Sequence, residues 1–313
     1  MASVTLAESA KLSQDMLVQG VIENVITVDR FFEVLPFDGI EGNALGYNRE
    51  NALGDVQVAT VGDSITAKSA ATFTAVTSSL TTIIGDAEVN GLVQATRSNF
   101  SDQTAVQVAS KAKSAGRKYR DMLLNGTGNS NEFLGILGLV DSGQKIYQDV
   151  AGNGVTTDGG ALTFAKLDEL IDLVTDKDGQ VDYLIMAART VRSYNALLRG
   201  LGGASINDVV TLPSGAQVPA YRGIPIFRND WMPVTQTRGG SGAVCTSVVA
   251  GTLDDGSRMH GIAGLTAQNA AGIVVEDVGV HQSKDERITR VKWYSGLACF
   301  SLKGLASLGG VTN

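Results

Sequence analysis

The sequence predicts an α+β fold in which strand-rich segments outnumber a handful of helices. Three observations predict it. One long amphipathic helix is written over residues 102–124. A helix–strand–helix order follows over 163–199. Apolar, β-prone segments at 243–251, 258–265, 272–280 and 287–301 then close the chain. Of the 313 residues, 43% are hydrophobic, which suffices for a real core and is too apolar for a disordered chain.

Composition excludes several function classes. The 37 glycines show no three-residue period, so the chain is not collagen-like. A net charge of −7 argues against a wholly basic nucleic-acid binder. Two cysteines, Cys245 and Cys299, cannot build a disulfide scaffold or a multi-cysteine zinc site. Two histidines, His260 and His281, leave little for histidine-based catalysis or metal binding. No run of about 18 apolar residues is present to span a membrane. Residues 1–19 interleave Glu8, Lys11 and Asp15 with apolar positions, unlike a signal peptide.

The elements follow in chain order. Leu12, Met16 and Val21-Ile22 suggest a short helix, and the apolar stretch Val25 to Pro36 must lie across the domain or reach a neighbour. Residues 41–80 read as an extended hairpin punctuated by Gly42, Gly46, Gly54 and Gly62. Val56, Val58 and Thr60 alternate as a strand does, and 63–79 is nearly all Ser, Thr, Ala and Val. Such an arm has too little apolar mass for a core of its own; it reads either as a floppy loop or as an arm that becomes ordered against another subunit. Asp86 is expected to cap a short helix through Gln94, and Ser101 or Asp102 the long one, with Gly126 as its stop. On a helical wheel Ala105, Val108, Ala112, Ala115, Tyr119, Met122 and Leu123 form one core stripe. Lys111 and Lys118 flank it on one side, and Lys113, Arg117 and Arg120 on the other.

Beyond the long helix, residues 127–160 are Gly-rich and loop-like around an apolar run, 133–140. Thr163 caps a helix carrying Leu167, Leu170, Ile171 and Val174, which ends at Asp176-Lys-Asp-Gly179. Val181 to Ala187 is a buried strand, and Thr190 to Arg199 a second helix stopped by Gly200. Asp254-Asp-Gly256 is a turn between late strands.

No catalytic motif emerges. There is no phosphate loop, dinucleotide fingerprint or nucleophile elbow, and Gly126-Thr-Gly128 and Gly239-Gly-Ser-Gly242 read as turns. The acidic 176–179 segment lacks the remaining ligands of a calcium loop. Both cysteines sit in apolar strand patterns and are expected to be buried and unreactive. His260 and His281 are placed in separate strands. A Cys299–His281 dyad would need the fold to bring the two together, and no sequence feature supports it. The expectation is therefore no enzyme, no catalytic residues, no cofactor and no metal. The basic positions Lys113, Arg117 and Arg120 form the one candidate site. It is read either as a solvated face or as a sequence-independent contact to a polyanion or to acidic neighbours, without a stacking platform for bases.

The order of these parts resembles the tailed-phage major capsid proteins of the Hong Kong 97 fold family. Five features carry the resemblance: the N-terminal arm with the Gly-punctuated hairpin 41–80; the long helix with Asn125-Gly-Thr-Gly128 and Phe133-Leu-Gly-Ile-Leu-Gly-Leu-Val140 behind it; the helix–strand–helix of 162–190; Tyr221-Arg-Gly-Ile-Pro-Ile-Phe227; and Val291-Lys-Trp-Tyr-Ser-Gly-Leu-Ala-Cys-Phe300 with Lys303 to Val311. The resemblance implies an N-terminal arm (1–40), an extended hairpin loop (41–84) and a peripheral domain (85–134 and 264–302) with a spine helix over 102–124. An α/β axial domain (135–263 and 303–313) completes it. It further implies a homo-oligomeric icosahedral shell of hexamers and pentamers around double-stranded DNA, in the virion, assembled in the host cytoplasm. The implied partners are further copies of the chain, a portal, and a scaffolding protein that would be separate or absent, or a decoration protein. Packaged DNA would be met without sequence specificity, and no membrane is involved. Lys68 lies in the loop, but no partner Asn or activating Glu matches a cross-linking site. An encapsulin-like shell around protein cargo shares the fold and would be marked by an N-terminal helix forming a cargo pocket. An α/β enzyme is the third reading.

Overall fold

A computed structural model describes residues 30–97, 102–129, 131–148, 158–176, 179–200, 208–238 and 242–312. The short helix expected near Leu12 and Met16 lies outside them. A 3-10 turn at Phe31–Glu33 leads into β1 (Phe37–Ile40), followed by β2 (Ala44–Ala52), β3 (Thr72–Ser79) and β4 (Thr81–Asn90). Helices α1 (Gly91–Arg97), α2 (Gln103–Asn125) and α3 (Ile136–Leu139) come next. Then follow β5 (Lys145–Tyr147), α4 (Phe164–Thr175), β6 (Tyr183–Met186) and α5 (Ala188–Gly200). The chain continues as β7 (Val209–Thr211), β8 (Gln217–Tyr221), β9 (Ile224–Arg228), β10 (Gln236–Arg238) and β11 (Ala243–Gly251). It ends in β12 (Ile262–Ala267), β13 (Val274–Val280), β14 (Glu286–Cys299) and β15 (Leu305–Val311).

Three sheets organise these strands. β14 is the spine of a five-stranded sheet in which β12, β13 and β4 all pair with it and β1 adds in parallel to β12. An eight-stranded sheet runs β5-β15-β11-β6-β9-β8-β7, with β10 on β11. β2 and β3 form a separate two-stranded ribbon. α2 packs on β4 and β14, and α4 on β15 and β11.

Helices α2 and α4 begin where side chains supply the missing acceptors. Asp102 accepts from the backbone N–H groups of Thr104 and Ala105, and Thr163 accepts from that of Lys166. α4 buries the four residues its pattern nominated, Leu167, Leu170, Ile171 and Val174. α2 buries only the second half of its stripe. Ala115, Tyr119, Met122 and Leu123 are inside, whereas Ala105 is exposed and Val108 and Ala112 are half-covered. The physical reason lies in what faces it. Trp293 stands 4.5 Å from the Tyr119 ring and Phe133 5.6 Å, and these bulky partners gather at the C-terminal half. Gly126 stops α2 by close approach, not by a left-handed backbone. A Cβ there would stand 2.2 Å from the Phe133 carbonyl oxygen, so the return of the chain over the helix end admits only glycine.

Four expectations need correction. Asp86 does not cap a helix: residues 81–90 are β4, held by a ladder to β14 that runs from Asn90↔Glu286 to Thr81↔Ser295. The Asp86 carboxylate instead takes both guanidinium donors of Arg290 at 2.8 Å, and Asn90 takes the cap by accepting from Leu92 N–H. Residues 53–71 are not strand. His260 and His281 lie just outside strands, not within them, and the strand expected from 258 begins at Ile262. The Asp254 carboxylate holds the turn before it by accepting from Gly256 and Arg258 N–H.

The Arg290 guanidinium hydrogen-bonded to Asp86 holds that carboxyl below the usual aspartate range. A depressed carboxyl stabilises the fold above its unfolded pKa, and the contribution fades as pH falls through the folded value. Asp86→Asn is therefore expected to lower the melting temperature at pH 7 by about 2–4 °C, with the gap to wild type closing below roughly pH 4. Thermal scans across pH 3–7 check it; a constant gap at all pH values contradicts the pairing.

Residues 30–37 lie across the molecule, as one of the two options for the apolar N-terminal stretch required. Phe31 is fully buried, 4.9 Å from Tyr183 and 5.5 Å from Phe227 at the large sheet. Phe32 packs 5.6 Å from Tyr119, and Phe37 6.2 Å from Trp293, over α2 and β14. This aromatic strap ties the two sheet layers into one core.

Candidate functional site

Among the described residues, the β2–β3 ribbon is held to the body through its lower half. Tyr47 Oη donates to the Cys299 carbonyl at 2.8 Å, Arg49 Nη2 to the same oxygen at 2.5 Å, and the Tyr47 ring meets Phe300 at 5.2 Å. Beyond Ala52 and Thr72 the two limbs carry no ladder. One main-chain bond crosses between them, Asp55 N–H to the Ser69 carbonyl at 3.2 Å, and side chains join the rest. Gln57 Oε1 accepts from Thr66 N–H at 2.6 Å, Ala67 N–H at 2.9 Å and Thr66 Oγ1 at 2.8 Å, and Gln57 Nε2 donates to the Ser64 carbonyl at 3.0 Å. Asp63 accepts from Thr60 N–H and Oγ1 across the turn at Gly62, whose φ is +96°. Side-chain bonds that satisfy the backbone locally compete with strand pairing, which is why the alternating Val56-Gln57-Val58 pattern does not become a strand. Its valines instead project into water: Val56 is 95%, Val58 103% and Val61 107% exposed. Lys68 is exposed in the same tip.

The basic positions divide as the helical wheel places them. On one flank Lys118 is engaged within the chain, 2.8 Å from Glu132 and 4.0 Å from Asp121. Lys111 lies along β4, its Cδ 3.6 Å from where a Gly85 Cβ would stand. On the other flank Lys113 is exposed, and Arg117 and Arg120 are half-covered. They follow one another at i, i+4 and i+7, so they share a face of α2.

Neither cysteine is placed for nucleophilic chemistry. Cys299 is buried, and burial pushes its thiol up to about 11, away from the reactive thiolate. The backbone of His281 pairs with Glu286 at one end of β14 and Cys299 ends the other, about 43 Å apart along the strand, so no dyad forms. Cys245 is likewise buried and donates to the Ala243 carbonyl at 3.3 Å. An open cleft of about 1230 Å³ beside α4 holds Glu169, Asp172, Asp182, Asp255 and His260, with His260 3.7 Å from Asp255. Sequence reading missed this cleft because its walls come from four distant segments. Among the described residues no three Asp, Glu, His or Cys side chains are grouped to hold a metal ion, and no helix is long and apolar enough to cross a membrane.

Comparison with solved structures decides the fold. The holo-SrpI encapsulin of Synechococcus elongatus PCC 7942 is similar over 99% of this chain and 96% of its own, with a TM-score of 0.71 at 17% identity. The phage G gp27 major capsid and gp26 decoration protein structure matches over 100% of both chains, TM-score 0.62, at 10% identity. That of Microbacterium phage Oxtober96 also matches over 100% of both, TM-score 0.61, at 14% identity. This is the Hong Kong 97-type capsid fold. The sequence matches no protein-family model and no curated protein. α2 covers Gln103–Asn125, where the sequence pattern expected a helix over 102–124, and β2 and β3 pair as a hairpin within 41–80.

Proposed function

We propose that this chain is a structural, non-catalytic shell subunit. It assembles with copies of itself into hexamers and pentamers of an icosahedral capsid around the double-stranded DNA of a tailed phage. One observation carries this reading: the hairpin tip holds Leu53, Val56, Val58, Val61 and Ile65 between 67% and 107% exposed, with no surface among the described residues to cover them. A soluble monomer gains nothing from such a tip, whereas a shell covers it at every contact. The partners of this reading are further copies of the chain, a portal, a separate scaffolding or decoration protein, and DNA met through its backbone alone. Assembly takes place in the host cytoplasm. A protein-filled encapsulin shell is the second reading, favoured by the higher TM-score of the encapsulin neighbour. Electron microscopy of particles purified from expressing cells, with nucleic-acid digestion of their contents, tests both. Shells filled with DNA in the phage background support the first, and shells holding protein without nucleic acid support the second. Monomers under all conditions overturn both.

In this reading the flank Lys113, Arg117 and Arg120 meets acidic groups of a neighbouring subunit. Lys113→Glu with Arg117→Glu is expected to slow capsomer assembly without DNA, by about tenfold at low salt and less at high salt, because screening weakens exposed charge contacts. Light scattering at two ionic strengths reads it. Normal empty shells with a selective loss of packaged genome move the flank to the DNA-lining role, and normal filled shells leave it a solvated face.

A further inference from the structure

We infer that Gln57 is the positioning residue of an apolar docking knob, which the free subunit builds at the hairpin tip before it meets a second copy of the chain. The identity of the partner rests on the shell reading; the knob itself does not. An isolated two-stranded ribbon is marginal in water, and a loop of small residues ordinarily samples many conformations. Past the single main-chain bond from Asp55 N–H to the Ser69 carbonyl, a side-chain hub takes over from the ladder. Three donors converge on Gln57 Oε1, from Thr66 N–H, Thr66 Oγ1 and Ala67 N–H, and its amide nitrogen returns a bond to the Ser64 carbonyl. The contacts fix which end of the amide is oxygen, since two backbone N–H groups face one end and a carbonyl the other. The flanking valines, Val56 and Val58, are turned out on either side of the hub, and the Thr60–Asp63 turn sets Val61 beyond them. A preorganised surface loses less freedom on binding than a floppy one. The partner is a second copy because the same chain presents exposed valines in return, Val275, Val278 and Val280 on edge strand β13. Apolar surfaces on both sides then cover one another.

The test uses the full chain and two substitutions that differ in what they remove. Gln57→Ala deletes the hub. Gln57→Glu keeps the shape and the acceptor but sets an oxygen against the Ser64 carbonyl. Hydrogen exchange at the Thr66 and Ala67 amides is read on unassembled subunit, and association on concentrated subunit by sedimentation and light scattering. Exchange at both amides is expected to rise about tenfold in Gln57→Ala and less in Gln57→Glu, with association slowing in the same order. A third variant, Val58→Ser, should slow association while leaving exchange at Thr66 and Ala67 as in wild type, which separates the apolar surface from its support. Unchanged exchange in Gln57→Ala overturns the hub. Faster exchange with unchanged association overturns the positioning role. If wild type itself never associates, the second-copy assignment falls with the shell reading, while the exchange result still decides whether Gln57 organises the tip.

Discussion

Replacing residues 53–71 with an Asn-Gly turn is expected to leave a subunit that folds normally and never closes a shell. β2 and β3 pair with each other, from Ala44↔Ser79 to Ala52↔Thr72, and not with the body of the protein. Their hold on the body is at the base, through Tyr47 and Arg49 to the carbonyls of Cys299 and Phe300. None of residues 53–71 belongs to a buried core cluster. An Asn-Gly pair suits a two-residue hairpin connection, and closing a shorter loop costs little, so the melting temperature should move by only a few degrees. The assembly loses far more. Covering each large apolar side chain of the tip is worth about 1.5–3 kcal/mol, and that gain recurs at every contact of a closed particle. Electron microscopy of the variant beside thermal unfolding reads both halves. Normal particles from the shortened chain contradict the shell-contact role of the tip; an unfolded variant contradicts its independence from the core.

Leu123→Asp is expected to abolish soluble protein. Leu123 is fully buried in the cluster that joins Tyr119, Phe133, Ile136 and Trp293. The substitution removes a well-packed side chain, about 2–5 kcal/mol, and asks a carboxylate to sit without a partner, about 3–5 kcal/mol more. Together these approach the whole stability of an ordinary domain, about 5–15 kcal/mol. Ala105→Asp is the matched control. The helical wheel places it on the same stripe, yet it is exposed in the subunit. Its cost should stay within about 0.5 kcal/mol. Soluble expression and circular dichroism of the two variants settle which half of α2 faces the core, and a soluble, assembled Leu123→Asp protein would place the helix face wrongly.

The basic flank and the hairpin tip differ in how readable they were. Helical spacing alone sets Lys113, Arg117 and Arg120 on one face of α2, because a long helix fixes the relative direction of its side chains. The tip is legible in the sequence as an arm without a core, whereas the contacts of Gln57 are not. Gln57 sits in an alternating pattern that reads as strand, and nothing local announces that its amide will bond to residues nine and ten positions on. The Gly62-Asp63 turn was the available signal: an acid that can bond to its own turn beside a glycine that permits it.

By itself the sequence determined the elements whose causes are local. α2 and α4 start at Asp102 and Thr163 because those side chains can reach the orphan N–H groups of the first turn. The four buried positions of α4 follow from a period of 3.6, β6 and β11 from continuous apolar runs, and β14 from the alternation of Val291 and Trp293 with Arg290 and Lys292. Tertiary structure decided the rest. Whether residues 86–90 became helix or strand depended on Arg290, 204 residues away, and on the ladder β14 offers. Which half of the α2 stripe was covered depended on where Trp293 and Phe133 arrived. The distance between Cys299 and His281 depended on the full length of β14. Each of these is a long-range pairing whose free energy appears only after distant segments meet. A local pattern can state that a surface is apolar or polar, but only the assembled core says what lies against it.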